Sequence, residues 1–243
     1  MVQLILAATG TALATGLGAI PVFFLGERAV VLRPALLGFA AGVMTVASIA
    51  GLLLPALDAG SPLQAGAGLA AGAAFLIGAR ALLGRRRTRL GRRPSASLRM
   101  SILVFAVLFV HSLPEGFAIG TAYASETSGL SLFVIIAIAV QNIPEGTSVA
   151  IPMAAAGFGP GRQFWAAVGT SAPQPIGAVV AYLLVEQISG LLPISFGFAA
   201  GAMLALVVVE LAPETIRTGA VPGAVGAALG AVAMLGLSWT LGV

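Results

Sequence analysis

The sequence predicts an all-α polytopic membrane protein of eight transmembrane helices, laid out as three helices, a central pair and three more. Three observations predict it. The hydrophobic fraction is 59% and the charged fraction 8%, against about 25% charged residues in soluble domains, and mean hydropathy is +1.07. Apolar runs near the roughly 20 residues that span a bilayer as helix occur at 2–25, 34–57, 63–83, 101–124, 129–155, 163–185, 191–212 and 221–242. The charges between these runs segregate by side. A β-barrel is excluded, because the runs are far longer than tilted strands and do not alternate.

Met1 to Leu25 has no basic leader and is as long as a full span, so it reads as the first membrane helix rather than a cleaved signal peptide. The runs are then broken at Glu27-Arg28, at Asp58 to Pro62, at the Arg-rich stretch 84–99, at Ser125 to Ser128, at Gly157 to Arg162, at Glu186 to Gly190 and at Pro213 to Gly219. With eight spans, the breaks after spans 1, 3, 5 and 7 share one side. They hold or adjoin all 12 basic residues, every one an arginine. The opposite breaks hold only Asp58, Glu126 and Glu186. Cytoplasmic loops are enriched in Arg and Lys, so the arginine side is expected in the cytoplasm and both termini outside. Positive charge of this kind reports topology before it reports a ligand, so no nucleic-acid partner is implied. The stretch 84–99 reads as a solvated cytoplasmic loop.

The chain also repeats itself. Gly38-Phe39-Ala40-Ala41-Gly42 in span 2 recurs as Gly197-Phe198-Ala199-Ala200-Gly201 in span 7, each followed by a methionine, Met44 and Met203. An odd number of crossings separates spans 2 and 7, so they run in opposite directions. That is what an inverted repeat requires, and secondary transporters are often built that way.

Midway between these copies lies a second pair. His111-Ser112-Leu113-Pro114-Glu115-Gly116 sits in span 4, and Gln141-Asn142-Ile143-Pro144-Glu145-Gly146 in span 5. A carboxylate at mid-membrane costs roughly 2.5–3.5 kcal/mol. Two of them, each with a polar residue four positions earlier, ask for one cause. Positions i and i+4 share a helix face, so His111 projects with Glu115 and Gln141 with Glu145. Two such helices face to face converge nitrogen and oxygen donors suited to a divalent cation. Pro114 and Pro144 free the carbonyls of Val110 and Val140, which is tolerated at membrane depth where the backbone packs on protein or lines a cavity. With no cysteine and one histidine, thiolate and poly-histidine sites are excluded.

These motifs resemble the fourth- and fifth-helix motifs of the ZIP (Zrt/Irt-like) divalent-metal transporters, the small prokaryotic members above all. The resemblance covers the whole chain, with its eight spans, outward termini and charged loop after span 3. It implies a metal site between helices 4 and 5 with His111, Glu115, Gln141 and Glu145 as primary ligands. It implies Zn2+ as cargo, with Cd2+, Fe2+ and Mn2+ compatible with the same donors. It further implies a prokaryotic plasma (inner) membrane location, alternating access in which the central pair moves with part of the scaffold, and a homodimer. The sequence departs from the family at the secondary site. Ser112, Asn142 and Gln174 are neutral there, and Gln174 stands where a glutamate usually precedes Pro-x-Gly, so one tightly held ion is expected rather than two. Glu210 in span 7 matches a family feature and is read as a pathway residue. Met44 and Ser48 are candidates for the entry path, and Asp58 for the outer mouth. No hydrolysis motif is present, so the driving force is an ion gradient or the metal's own. An intramembrane metalloenzyme is the lesser alternative, since no HExxH motif and no separate base occur. The other alternative is a channel, or a proton- or ion-coupled transporter of another solute, using Glu115 and Glu145 as proton sites.

Overall fold

The computed structural model describes every residue except 88–95, 126 and 189. It contains eleven α-helices among the described residues and no strand. The first apolar run divides into α1 (Val2–Leu17) and α2 (Ile20–Leu25). Pro21 cannot donate to the carbonyl four residues back, and α1 stops before it. A 3-10 stretch, Gly26–Leu32, leads to α3 (Arg33–Ser48), which continues through a π-helical turn, Ile49–Leu53, into α4 (Leu54–Ala59). Next come α5 (Pro62–Arg87), α6 (Ala96–Ala124) and α7 (Leu130–Ala155). The sixth run divides into α8 (Pro160–Thr170) and α9 (Pro173–Gln187), breaking ahead of Pro173 and Pro175. Helix α10 (Leu191–Leu206) passes through a second π-helical turn, Val207–Leu211, into α11 (Ala212–Leu241).

Seven of the described helical segments are long and apolar enough to cross a membrane. The last, Leu191–Leu241, has 51 residues. At a rise of 1.5 Å that is about 77 Å of helix, against a hydrocarbon core of roughly 30 Å. Gly219 breaks it, leaving the helical region at φ 166 and ψ 91. The Arg-rich stretch differs from the expected loop at both ends. Helix α5 runs on to Arg87 and α6 begins at Ala96, while 88–95 lies outside the described residues, as does Glu126. Helices α6 and α7 run through Pro114 and Pro144, so the carbonyls of Val110 and Val140 lose their i+4 donor without ending either helix.

Packing follows the small residues. Helix α3 lies against α11, α5 against α10, α6 against α9 and α1 against α7. A Cβ placed on Gly42 would come within 2.1 Å of the Ala227 carbonyl oxygen, and one on Gly201 within 2.0 Å of the Leu69 carbonyl oxygen. Reciprocally, Gly230 abuts the Phe39 carbonyl and Gly72 the Phe198 carbonyl. Each copy of the Gly-Phe-Ala-Ala-Gly repeat therefore meets a glycine pair on its partner, Gly226 and Gly230 or Gly68 and Gly72. Such contacts let backbones approach where lipid supplies no hydrophobic drive between helices. The central motifs behave alike, with Gly116 against the Gln174 carbonyl and Gly146 against the Thr15 carbonyl.

The main apolar core holds Met44, Leu52, Ile119, Phe133, Ile138 and Phe196. It joins the C-terminal half of α6 to the N-terminal half of α7, with α3 and α10 closing over them. The opposite halves of α6 and α7 are where the packing opens.

Candidate metal site

Helix α6 carries His111, Ser112 and Glu115, and α7 carries Gln141, Asn142 and Glu145. Helix α9 brings Gln174, and all seven side chains are buried. Glu210 sits in the π-helical turn after α10, partly exposed. A single-turn π segment widens the helix and re-aims its side chains, and here it faces Glu210 toward His111, Oε2 to Nε2 3.8 Å.

Glu115 lies at the centre of the polar contacts. Its Oε1 accepts from Gln141 Nε2 at 2.7 Å and its Oε2 from Gln174 Nε2 at 2.6 Å. Bonds to a charged acceptor are worth about 1.5–3 kcal/mol each, so two of them offset much of the cost of burying the carboxylate. Gln174 Oε1 in turn accepts from Thr11 Oγ1 at 2.9 Å and from Asn142 Nδ2 at 3.3 Å. Asn142 Nδ2 also donates to the Thr11 carbonyl at 2.7 Å. Ser112 turns back and donates to the Leu108 carbonyl at 3.0 Å.

Four atoms of this region have no hydrogen-bond partner: His111 Nδ1, Gln141 Oε1, Glu145 Oε1 and Glu210 Oε2. A buried polar atom without a partner costs about 1–3 kcal/mol, and native structures hold few of them. Four of the seven such atoms among the described residues lie on the two motifs and on Glu210. They are an imidazole nitrogen, an amide oxygen and two carboxylate oxygens, the donor types that bind Zn2+ and related dications.

The expected convergence of His111, Glu115, Gln141 and Glu145 on one point is resolved into two contacts, Glu115 with Gln141 and His111 with Glu210. Among the described residues no three His, Asp or Glu side chains are gathered as a finished coordination sphere. Two bare carboxylates in a low-dielectric interior repel, and amide donors hold the oxygens of Glu115. Sequence reasoning missed Thr11. Thr11 shares α1 with Gln3, Thr9 and Thr15, so nothing local singles it out.

A cavity of about 610 Å³ opens beside the site. It is lined by Glu145 and Ser148 from α7, by Met100 to Leu108 positions of α6, and by Glu210 and Glu214. Arg33, Arg80 and Arg217 line it as well, so arginines from three separate segments meet at one end of the bundle. Arg33 and Arg217 both pair with Glu214, at 2.9 and 2.7 Å, and Arg80 donates to the Val209 carbonyl of the π-helical turn. The cavity thus connects Glu145 and Glu210 to the arginine end, while the apolar core closes the other.

Comparison with known proteins agrees with this architecture. Residues 87–238 match the family model described as ZIP Zinc transporter. The chain is 36% identical over 243 aligned positions to the zinc transporter ZIPB of Bordetella bronchiseptica, covering 94% of this chain and 78% of that protein. It is 32% identical over 119 residues to the zinc transporter GufA of Myxococcus xanthus, covering 49% and 47% of the two chains. A 117-residue stretch is 38% identical to an Arabidopsis thaliana protein, covering 48% of this chain and 19% of that one. The alignments thus span less than half the length of two of these three relatives. On the family match and the near full-length similarity to ZIPB, this chain belongs to the ZIP zinc transporter family.

Proposed function

We propose that the chain carries divalent transition-metal cations, Zn2+ foremost, across the plasma membrane into the cytoplasm by alternating access. In this reading Leu191–Leu241 makes two spans hinged at Gly219, for eight in all. The arginine end is cytoplasmic by the positive-inside tendency. Spans 2 and 7 then occupy equivalent places in two inverted halves. Their matched π-helical turns and reciprocal glycine contacts support that symmetry.

The observation that carries the reading is the cavity. It leads from the arginine end to Glu145 and Glu210, each with an unpartnered oxygen, and Glu210 stands 3.8 Å from His111. A cation arriving from the opposite face is held by His111, Glu115, Gln141 and Glu145. Rotation of the Gln141 amide presents its free Oε1 and releases Glu115 Oε1 to the cation. Glu210, facing His111, receives the ion on the way out. Ser112, Asn142 and Gln174 surround the site without adding charge. Cd2+, Fe2+ and Mn2+ suit the same donors, and their order is set by geometry and availability as well as ligand type.

The test is saturable Zn2+ uptake into proteoliposomes holding a zinc indicator, with Cd2+, Fe2+ and Mn2+ as competitors. Uptake by the wild type and none by Glu115→Ala is expected. Absence of saturable divalent uptake would return the reading to a carrier of another solute.

A further inference from the structure

The polar groups around Glu115 divide into two sets. His111, Gln141, Glu145 and Glu210 each keep a buried atom without a partner. Thr11, Asn142 and Gln174, on the other side of Glu115, keep none. Gln174 is fully used. Its Oε1 takes hydrogen bonds from Thr11 Oγ1 and Asn142 Nδ2, and its Nε2 donates to Glu115 Oε2 at 2.6 Å and to Asn142 Oδ1 at 3.4 Å.

The orientation of both amides is dictated by chemistry. The Thr11 carbonyl can only accept, so the Asn142 edge that meets it at 2.7 Å is the nitrogen. Its Oδ1 then faces Gln174. The Glu115 carboxylate, when ionised, can only accept, so the Gln174 edge that meets it is also the nitrogen. Thr11 Oγ1 lies 2.9 Å from the opposite edge of Gln174 and 2.8 Å from the Ala8 carbonyl, and its one proton is shared between these two acceptors. Two anchors that can only accept, a main-chain carbonyl on α1 and a carboxylate on α6, thereby fix a chain of hydrogen bonds running in one direction.

The result is an NH2 group set between two oxygens, Glu115 Oε2 and Asn142 Oδ1. An amide hydrogen edge carries partial positive charge and presents it to the oxygens that a cation would otherwise draw on. We infer that the Gln174 amide is a built-in stand-in for a second cation, oriented by Thr11, and that it restricts the site to one ion. The inference rests on the proposed function, because it assigns an ion count to that same site. It is consistent with charge. Glu115 and Glu145 neutralise one dication, and two dications a few ångströms apart would repel strongly in the interior. Thr11 is a positioning residue here. It does not touch the first ion and acts through Gln174.

The experiment is calorimetric titration of the full chain in nanodiscs with Cd2+, for which the protein offers no thiol. The wild type should bind one tight ion per chain. Gln174→Glu removes the NH2 group and adds a charge, and should raise the count to two. Thr11→Val keeps the shape and removes the hydroxyl donor. It should let the amide turn and reveal a second, weaker binding event, whereas Thr11→Ser, which keeps the donor, should still bind one. Thermal stability of each variant is read in parallel. If Gln174→Glu fails to fold, the Thr11→Val and Thr11→Ser pair still decides the matter. Two tight ions on the wild type would overturn this inference and leave the functional reading standing. So would one ion on a stably folded Gln174→Glu, or equal behaviour of the two Thr11 variants. No binding by the wild type would overturn the functional reading itself, and this inference with it.

Discussion

Glu115 is a buried carboxylate whose two oxygens are held by two amide nitrogens from different helices, and this determines what its substitution should do. Glu115→Ala removes a buried carboxylate and leaves the amides of Gln141 and Gln174 without their acceptor. His111→Ala removes the only imidazole in the chain. Each variant should lose saturable Zn2+ uptake while keeping its size-exclusion profile in detergent, and near-normal uptake by either would remove that residue from the site. The pH dependence has a fixed sign. The cation needs neutral imidazole and ionised carboxylates, so protons compete with it. Acidification should raise the apparent Kd, and titration calorimetry at successively lower pH measures this directly. Affinity that improves on acidification would contradict the ligand set. These residues were legible in the sequence because a polar group in an apolar span is costly and seldom accidental. Thr11 was not, because a threonine can satisfy itself on its own helix, and Thr11 Oγ1 does meet the Ala8 carbonyl at 2.8 Å. Its second contact, to Gln174, is 163 positions away, and no local pattern announces it.

At the scale of elements, the apolar runs were legible and their interruptions only partly so. Runs 1 and 6 divide ahead of Pro21 and Pro173, where the missing N–H makes a break inexpensive. Pro114 and Pro144 carry the same local signal, yet α6 and α7 continue through them, so packing decides whether a proline breaks its helix. The two π-helical turns were missed. Each lies just ahead of a proline, Pro55 or Pro213, and the two distances from the repeat agree to within one residue. Read together, those prolines would have pointed to both. The repeat itself gains its physical meaning in the glycine contacts. At Gly42 a methyl group would meet the Ala227 backbone at 2.1 Å, whereas at Gly10 nothing lies within 4 Å. Overpacking of this kind costs about 1–3 kcal/mol, while alanine at an open helical position gains roughly 0.5–1 kcal/mol. Gly42→Ala and Gly201→Ala should therefore lower the thermal midpoint in detergent, and Gly10→Ala should hold or raise it. Equal midpoints for all three would show that the close helix contacts carry no stability.

At the scale of the whole molecule, the site lies within one group of helices, α1, α6, α7, α8 and α9, and Glu210 reaches it from the segment after α10. Helix pairs α3 with α11 and α5 with α10 flank that group, α3 packing on α7 and α10 on α6. The cavity lies along the seam, lined from α6 and α7 on one side and from α3, α5 and the segment around Glu210 on the other. Its position at the arginine end fits the charge segregation read from the sequence, whereas which end stands open is a matter of tertiary packing that no local pattern encodes. Glu210 is the acid between site and cavity. Glu210→Gln should slow turnover while leaving equilibrium Cd2+ binding at the primary site within about threefold, as separate uptake and calorimetry measurements would show. Loss of binding together with turnover would instead make Glu210 a primary ligand. The central claim is that the cargo is held between α6 and α7. Anomalous diffraction at the zinc edge from Zn2+-loaded crystals tests it most directly. The expected result is one strong peak within about 2.0–2.2 Å of a Glu115 or Glu145 oxygen and the His111 nitrogen. A fully occupied peak elsewhere, with none between these two helices, would contradict it.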